Sequence, residues 1–267
     1  MCDSPETPRP LKTLKMGSLP IKESAISTQG LSLITLEEIN MFAALQTRVD
    51  RKYVINAETC NALIQQVQGK GSVLDIDGMR STMYQSVYFD TPTLDLYKDA
   101  AYRRRPRFKA RTRFYQETNT AMLEVKTKDG RGRTVKKRTP HDVTTLNELT
   151  TEGKSFIDDV IGETGASRDL RATLTSQYQR TTIVERETRT RITCDEYLTC
   201  TDWENQSVSL AACIVESKSS GQPSLFDKWL WENGKRPIRI SKYCTALAVL
   251  HPELPSNKWH KTIKNYF

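Results

Sequence analysis

Between Lys109 and Phe114 the chain reads KARTRF, with a cation at every second position. Successive side chains on a strand point to opposite faces. As a strand, this segment puts Lys109, Arg111 and Arg113 on one side and Ala110, Thr112 and Phe114 on the other. The same two-residue period recurs. AMLEVK sets Ala121, Leu123 and Val125 against Met122, Glu124 and Lys126, and RTVKKR groups Thr134, Lys136 and Arg138 opposite Val135. TRTRITCD aligns Arg189, Arg191 and Asp195 opposite Ile192 and Cys194, and IVESK puts Glu216 and Lys218 together opposite Val215.

One such strand is an ordinary half-buried strand with its polar face in water, but five together are a constraint. Same-face neighbours lie roughly 7 Å apart, and at an effective dielectric of 20 two cations at that spacing repel by about 2 kcal/mol. Facing rows of cations need water or an anion between them. Two architectures satisfy this: an open sheet with a basic outer surface, or a closed barrel with a polar lumen and helices over its apolar outer face. The chain also carries helical segments that need an apolar surface to pack on, which favours the barrel. A basic lumen then calls for a concentrated anion such as a chain of phosphates.

Composition narrows the chemistry. The 267 residues carry 40 Lys and Arg against 32 Asp and Glu, a net charge of +8, so an anionic partner is expected. The RRRPR run from Arg103 to Arg107 invites a nucleic-acid reading. No reader motif accompanies it, and the cations fall on strand faces rather than on a groove-fitting helix. Arg103, Arg104, Arg105 and Arg107 are read as a basic tunnel mouth or a solvated loop. Six cysteines (Cys2, Cys60, Cys194, Cys200, Cys213, Cys244) form no CxxC pair and no zinc spacing. Three histidines (His141, His251, His260) offer no catalytic set. The N-terminus lacks an apolar signal core and no apolar run approaches the roughly 20 residues that span a bilayer. A reducing, cytoplasmic setting with free thiols is expected.

Residues 1–30, rich in Pro, Ser, Thr and Lys, are predicted to be a mobile tail, 31–255 the folded domain, and 256–267 a second tail. Residues 33–46 look helical. TRVDRKYVI is a candidate strand, followed by a helix capped by Asn56 and ending near Gly69. Strands dominate from QSVYFD to TVKKR. One or two helices fill VTTLNELTTEGKSFIDDVIGE, and a second strand group runs from YQRTTIV to IVESK. PSLFDKWLWENG and SKYCTALAVL return to helix, with Ser241 a candidate cap. Tyr88, Phe89, Tyr97, Trp229 and Trp231 are read as packing residues.

RVDRKYVI, YFDTPTLDLYKD, FKARTRFY, LEVKTK, TVKKR, YQRTTIV, RTRITCD, VESK and SKYCTALAVL occur in the order found in VTC domains, and over about residues 40–250 the chain resembles that family. VTC domains are the polyphosphate polymerase domains within the triphosphate tunnel metalloenzymes of the CYTH-like superfamily. The resemblance implies an α+β fold, a closed eight-stranded antiparallel tunnel with a basic lumen and helices packed outside. It implies a divalent metal, Mn2+ or Mg2+, and transfer of the γ-phosphate of ATP onto a growing inorganic polyphosphate chain. Matching positions are Lys52, Arg111, Arg113, Lys126, Lys136, Arg180, Arg191, Glu216, Ser241 and Lys242; Arg239 stands where the family can carry a lysine.

Phosphoryl transfer asks a protein mainly for positioning and charge neutralisation. Arg111, Arg113, Lys126, Lys136 and Arg180 are therefore assigned to the triphosphate or the product chain, and Arg191 and Lys242 to the transferring phosphoryl group. Lys52, Arg189, Lys218, Arg239 and Ser241 are further substrate contacts. Glu216 would orient the metal; Glu124 either joins it or pairs with Lys126 or a neighbouring arginine. The superfamily's paired ExExK glutamates are reduced here to Glu124-Val125-Lys126. A phosphate-sensing domain before the tunnel and membrane helices after it are not expected in this chain; a separate membrane protein is a candidate partner, since a basic cytoplasmic face would allow docking near anionic lipid. A triphosphatase that uses water as acceptor, and a non-catalytic polyphosphate-binding module, are the alternative readings.

Overall fold

A computed structural model describes residues 22–42, 49–188, 190–219 and 221–267. The cationic segments are strands, and they belong to one sheet: β2 (Val49–Ile55), β4 (Ser81–Asp90), β5 (Arg107–Tyr115), β6 (Thr120–Lys128), β7 (Thr134–His141), β8 (Arg171–Glu185), β9 (Thr190–Asp202) and β11 (Cys213–Ser219). Their order is β2-β11-β9-β8-β4-β5-β6-β7, every pairing antiparallel. Short strands extend this path: β1 (Ser32–Ile34) pairs with β3 (Gly71–Leu74), β3 with β8, and β10 (Ser207–Ser209) with β9.

The sheet has the eight expected strands in its main path, and residues from β2 and from β7 line the same cavity. It is curled, but its ends are not zipped together. Among the described residues β2 and β7 form no ladder with each other, so the expected closed barrel is a curled sheet with a seam. Along β2 the seam is partly bridged by a loop, with the Ile238 amide donating to the Lys52 carbonyl at 2.8 Å.

Strand parity decides what lies on each face. On the outer side α2 (Ala57–Gln65) and α5 (Leu225–Glu232) cover β2, β9 and β11. Leu63, Ile64, Phe226 and Leu230 pack there on Tyr53, Ile192, Cys194 and Val215. The helix α4 (Thr151–Ile161) covers β6 and β7, with Ile157 against Leu123 and Val125. Gly153 allows that approach: a Cβ there would lie 3.3 Å from a Leu123 methyl. Asn56 and Ser241 cap their helices as expected, accepting from the Thr59 and Cys244 amides.

One helix departs from the expected arrangement. α6 (Lys242–Leu250) packs on the inner faces of β4, β8 and β9, where Tyr243 and Leu247 join Tyr88, Leu174, Tyr178 and Leu198. The reason lies in the strands. Tyr84, Ser86 and Tyr88 pair with Tyr178, Ser176 and Leu174, so the Arg180 face of β8 turns apolar toward its start and needs apolar cover. The outer helices α2, α4 and α5 follow the expectation; α6 does not.

The described parts of both predicted tails pack on the folded domain. In the described part of the first, Ile26 is buried and Ser24 and Ala25 donate to the Glu196 carboxylate. At the other end Trp259 is buried against α3 (Asp95–Ala101) and α6, and α7 (His260–Tyr266) follows, held by Thr262 donating to the Arg239 carbonyl. The helix expected over 33–46 is β1 followed by α1 (Leu36–Phe42), with its remainder outside the described residues. Among the described residues no helix is long and apolar enough to cross a membrane.

Candidate active site

The inner face encloses a cavity of about 230 Å³ lined by nine cations, Lys52, Lys109, Arg111, Arg113, Lys126, Lys136, Arg180, Lys218 and Lys242. Among the described residues three acidic side chains share the lining, Asp50, Glu124 and Glu216. Each strand contributes through its parity. β5 delivers Lys109, Arg111 and Arg113 while Ala110 and Thr112 are buried behind it. β6 delivers Glu124 and Lys126, β7 Lys136, β8 Arg180, and β11 Glu216 and Lys218. Ser241 and Lys242 arrive from the N-terminal end of α6.

Ladder register turns these side chains into ion pairs. Arg111 lies directly across from Glu124, and its Nε and Nη2 both donate to Glu124 Oε2, at 2.8 and 2.6 Å. Lys136 donates to Oε1 of the same carboxylate. Burial raises the Glu124 pKa, but Arg111, Arg113 and Lys136 outweigh it and hold the carboxyl well below the usual range. Arg180 lies across from Asp195, donating from Nε to Oδ1 at 2.6 Å and from Nη2 to Oδ2 at 2.9 Å, while Lys242 also donates to Oδ2. Burial opposes the charge on Asp195, and these two cations overcome it.

Aromatic rings support the cations from below. Lys242 stands 4.3 Å from the Tyr178 ring centroid, and Arg180 is 5.0 Å from Tyr84. Arg113 donates to the Tyr178 hydroxyl at 2.9 Å and Arg111 to the Tyr88 hydroxyl at 3.2 Å. Such faces attract cations and fix their direction. Lys109 donates to Ser241 Oγ at 3.0 Å, so the Ser241 hydroxyl orients a lysine while capping α6.

Lys126 is different. Among the described residues it has no hydrogen-bond or ion-pair partner, although it stands in register with Lys109 on one side and Lys136 on the other. Burial is the main cause of its lowered pKa. Burial likewise pushes Lys136 and Lys218 down to about 8. Neighbouring cations add to this: Lys52 and Lys109 repel Lys126, and Arg111 and Arg113 repel Lys136, while Asp50 and Glu124 act the other way.

The two predicted metal ligands are not equivalent. Both oxygens of Glu124 are occupied by Arg111 and Lys136, which makes it a counter-ion rather than an open ligand. Glu216 has looser contacts, 3.4 Å to Lys218 and 3.9 Å to Lys52, and accepts no hydrogen bond among the described residues. Asp50, paired in register with Lys218, lies on the same wall. Mg2+ is usually held by one or two carboxylates plus substrate phosphates, and Glu216 with Asp50 fits that requirement. Asp202, Glu204 and His251 also cluster within 4.8 Å. There Asp202 already accepts from the Glu204 and Gln206 amides and meets His251 Nε2 at 2.8 Å, a clasp on the β9–β10 turn.

The cavity brings together Lys52, Arg111, Arg113, Glu124, Lys126, Lys136, Arg180, Glu216, Lys218, Ser241 and Lys242. Two expected members stand elsewhere. Arg191 is beside Lys218 in register on β9, beyond the lining, and Arg239 lines an adjoining cavity. Arg189 lies outside the described residues. Three functional positions were missed: Lys109, whose parity was visible, Asp50, and Asp195, whose role depends on which arginine it faces across the ladder.

No curated protein matches the chain. Solved structures to which the chain is similar include PH1819 of Pyrococcus horikoshii, 14% identical over 73% of this chain and 93% of that one, TM-score 0.43. The Hippeastrum protein HpAC1, an adenylyl cyclase candidate described with a dominant triphosphatase activity, is 14% identical over 74% and 94%, TM-score 0.42. The family model for the VTC domain matches residues 47–251, more than half of the chain and all eight strands of the main path. The chain belongs to the VTC domain family.

Proposed function

We propose that this protein is an ATP-dependent polyphosphate polymerase, extending inorganic polyphosphate inside the cationic cavity. The observation that carries the reading is the cavity lining, in which nine cations face three acidic side chains among the described residues, with Lys126 making no hydrogen bond or ion pair among those residues. Such a potential suits a ligand with closely spaced negative charges. Arg111, Arg113 and Arg180, steered by carboxylates and tyrosines, would fork onto phosphate oxygens. Lys126 and Lys136 would supply mobile charge along the chain, and Lys242, beside Asp195, would follow the phosphoryl group as it moves. Glu216 and Asp50 would hold the metal, Mn2+ or Mg2+, which when bound draws charge from the phosphate oxygens. The acceptor is a terminal phosphate that is already anionic, so no strong base is required. The cavity contains no histidine.

The test is a product assay with the purified chain, ATP and Mn2+ or Mg2+, resolving polymer from orthophosphate. Metal-dependent polymer is expected from the wild type and almost none from Arg111→Ala. Orthophosphate alone would make the protein a triphosphatase. Bound but unconsumed ATP would make it a binding module.

A further inference from the structure

A second cavity of about 310 Å³ adjoins the first, and the two share Asp50, Lys52, Lys109 and Ser241. It runs past the N-terminal end of α6, between β2, the first residues of β5 and the Pro237–Ser241 segment. α6 fills the inner side of β8 and β9, so here the cavity continues along β2. The annex adds Arg107, Arg239 and Lys258 to the shared lysines, while Arg51, also in its wall, already meets Asp227 at 3.5 Å; among the described residues its one acidic lining residue is Asp50. Lys258 comes from the segment that ends in buried Trp259 and is anchored by donating to the Ala100 carbonyl. Burial is the main cause that pushes its pKa down to about 8, and Arg107, Lys109 and Arg103 add repulsion.

We propose that this annex is a subsite for the distal phosphates of a polyphosphate chain whose reacting end lies in the main cavity, with Arg107 and Lys258 as its dedicated contacts. The inference rests on the proposed polymerase reading. It gives the polymer a direction, out past the N-terminus of α6 and toward the Arg103–Arg107 run. A triphosphate occupies the main cavity alone; a longer chain reaches both. Recognition is by charge, so it favours length and is indifferent to a nucleoside.

The experiment measures competition by tripolyphosphate, by polyphosphate of about fifteen units and by ATP against a fluorescent polyphosphate probe. The proteins are the wild type, Arg107→Gln, Lys258→Gln and Lys126→Ala, each checked for folding by thermal melt. The wild type should prefer the long chain. Arg107→Gln and Lys258→Gln should each cut that preference roughly 5-fold, the upper scale of one solvent-exposed ion pair, and Lys126→Ala should weaken all three ligands. Arg107 and Lys258 come from different segments, so loss of fold in one leaves the other as the test. An unchanged length preference in the variants overturns the annex while leaving the main site intact. Equal weakening of all ligands overturns it as unspecific charge, and selective weakening of ATP reassigns the annex to the nucleoside. Failure of every ligand to bind the wild type overturns the polymerase reading itself.

Discussion

Asp195→Asn is the most informative single change. The asparagine keeps the shape and an acceptor oxygen for Arg180 but removes the charge that faces two cations. Asp195 is 1% exposed, Arg180 9% and Lys242 13%, so water screens the remaining charges poorly. Removing one partner of a buried ion pair costs about 3–5 kcal/mol. The cavity beside Lys242 gives some relief, which places the expected loss near the lower end, about 3 kcal/mol. For a chain of this size that corresponds to a fall in Tm of roughly 6–12 °C. Circular dichroism melts at pH 7, with and without tripolyphosphate, measure it. The ligand should recover more of the Tm in the variant than in the wild type, because Arg180 and Lys242 then lack a competing carboxylate. The pH dependence has a defined sign. The folded-state pKa of Asp195 lies below its unfolded value, so its contribution is complete above about pH 4 and is lost as pH falls further. The gap between wild type and variant should therefore narrow from pH 4 toward pH 2. A Tm change under about 1 °C, with the same ligand response in both proteins, would refute the buried counter-ion argument.

Lys136 faces Glu124, Arg111 and Arg113, and Lys218 faces Glu216, Arg180, Arg191 and Asp50; both lysines lose charge as pH rises through about 8. With the ligand's own last ionisation measured and subtracted, tripolyphosphate affinity by calorimetry should fall between pH 7 and pH 9; a flat profile would contradict the depressed lysines. Lys126→Ala should abolish most turnover and anion binding while leaving urea stability equal or higher, since it removes a buried cation that makes no hydrogen bond or ion pair among the described residues. A large loss of stability would mean that Lys126 is structural. Ser241→Ala removes the α6 cap and the acceptor for Lys109, and should cost about 1 kcal/mol with a modest loss of anion affinity. Restoration of both by Ser241→Thr separates the hydroxyl from the shape.

The strand faces were legible because parity is local. From KARTRF and LEVK alone, Arg111, Arg113, Glu124 and Lys126 fall on one side and Ala110, Leu123 and Val125 on the other, as in the structure. Pairing is not local. That Arg180 meets Asp195 follows from the β8–β9 register and its shift between Gln177 and Gln179, and no short segment carries that information. The inward position of α6 was hidden for a similar reason. SKYCTALAVL is apolar nearly all round, so periodicity did not say which wall it would cover, and the apolar inner patch exists only once Tyr88, Leu174 and Leu198 are brought together. The Trp259 anchor was obscured by its polar neighbours Ser256, Asn257, Lys258 and His260, which read as tail.

The seam leaves β7 with one backbone edge that no strand meets among the described residues. A bare edge of this kind is a template on which a neighbouring molecule can lay a strand of its own. Here the edge carries Lys136, Lys137 and Arg138 in succession, then Pro140, which has no amide hydrogen to donate. Two chains approaching along this edge would set like charges side by side and meet a break in the ladder. The charges that make the interior receptive to an anion thus continue onto the rim, where they disfavour edge-to-edge pairing between copies.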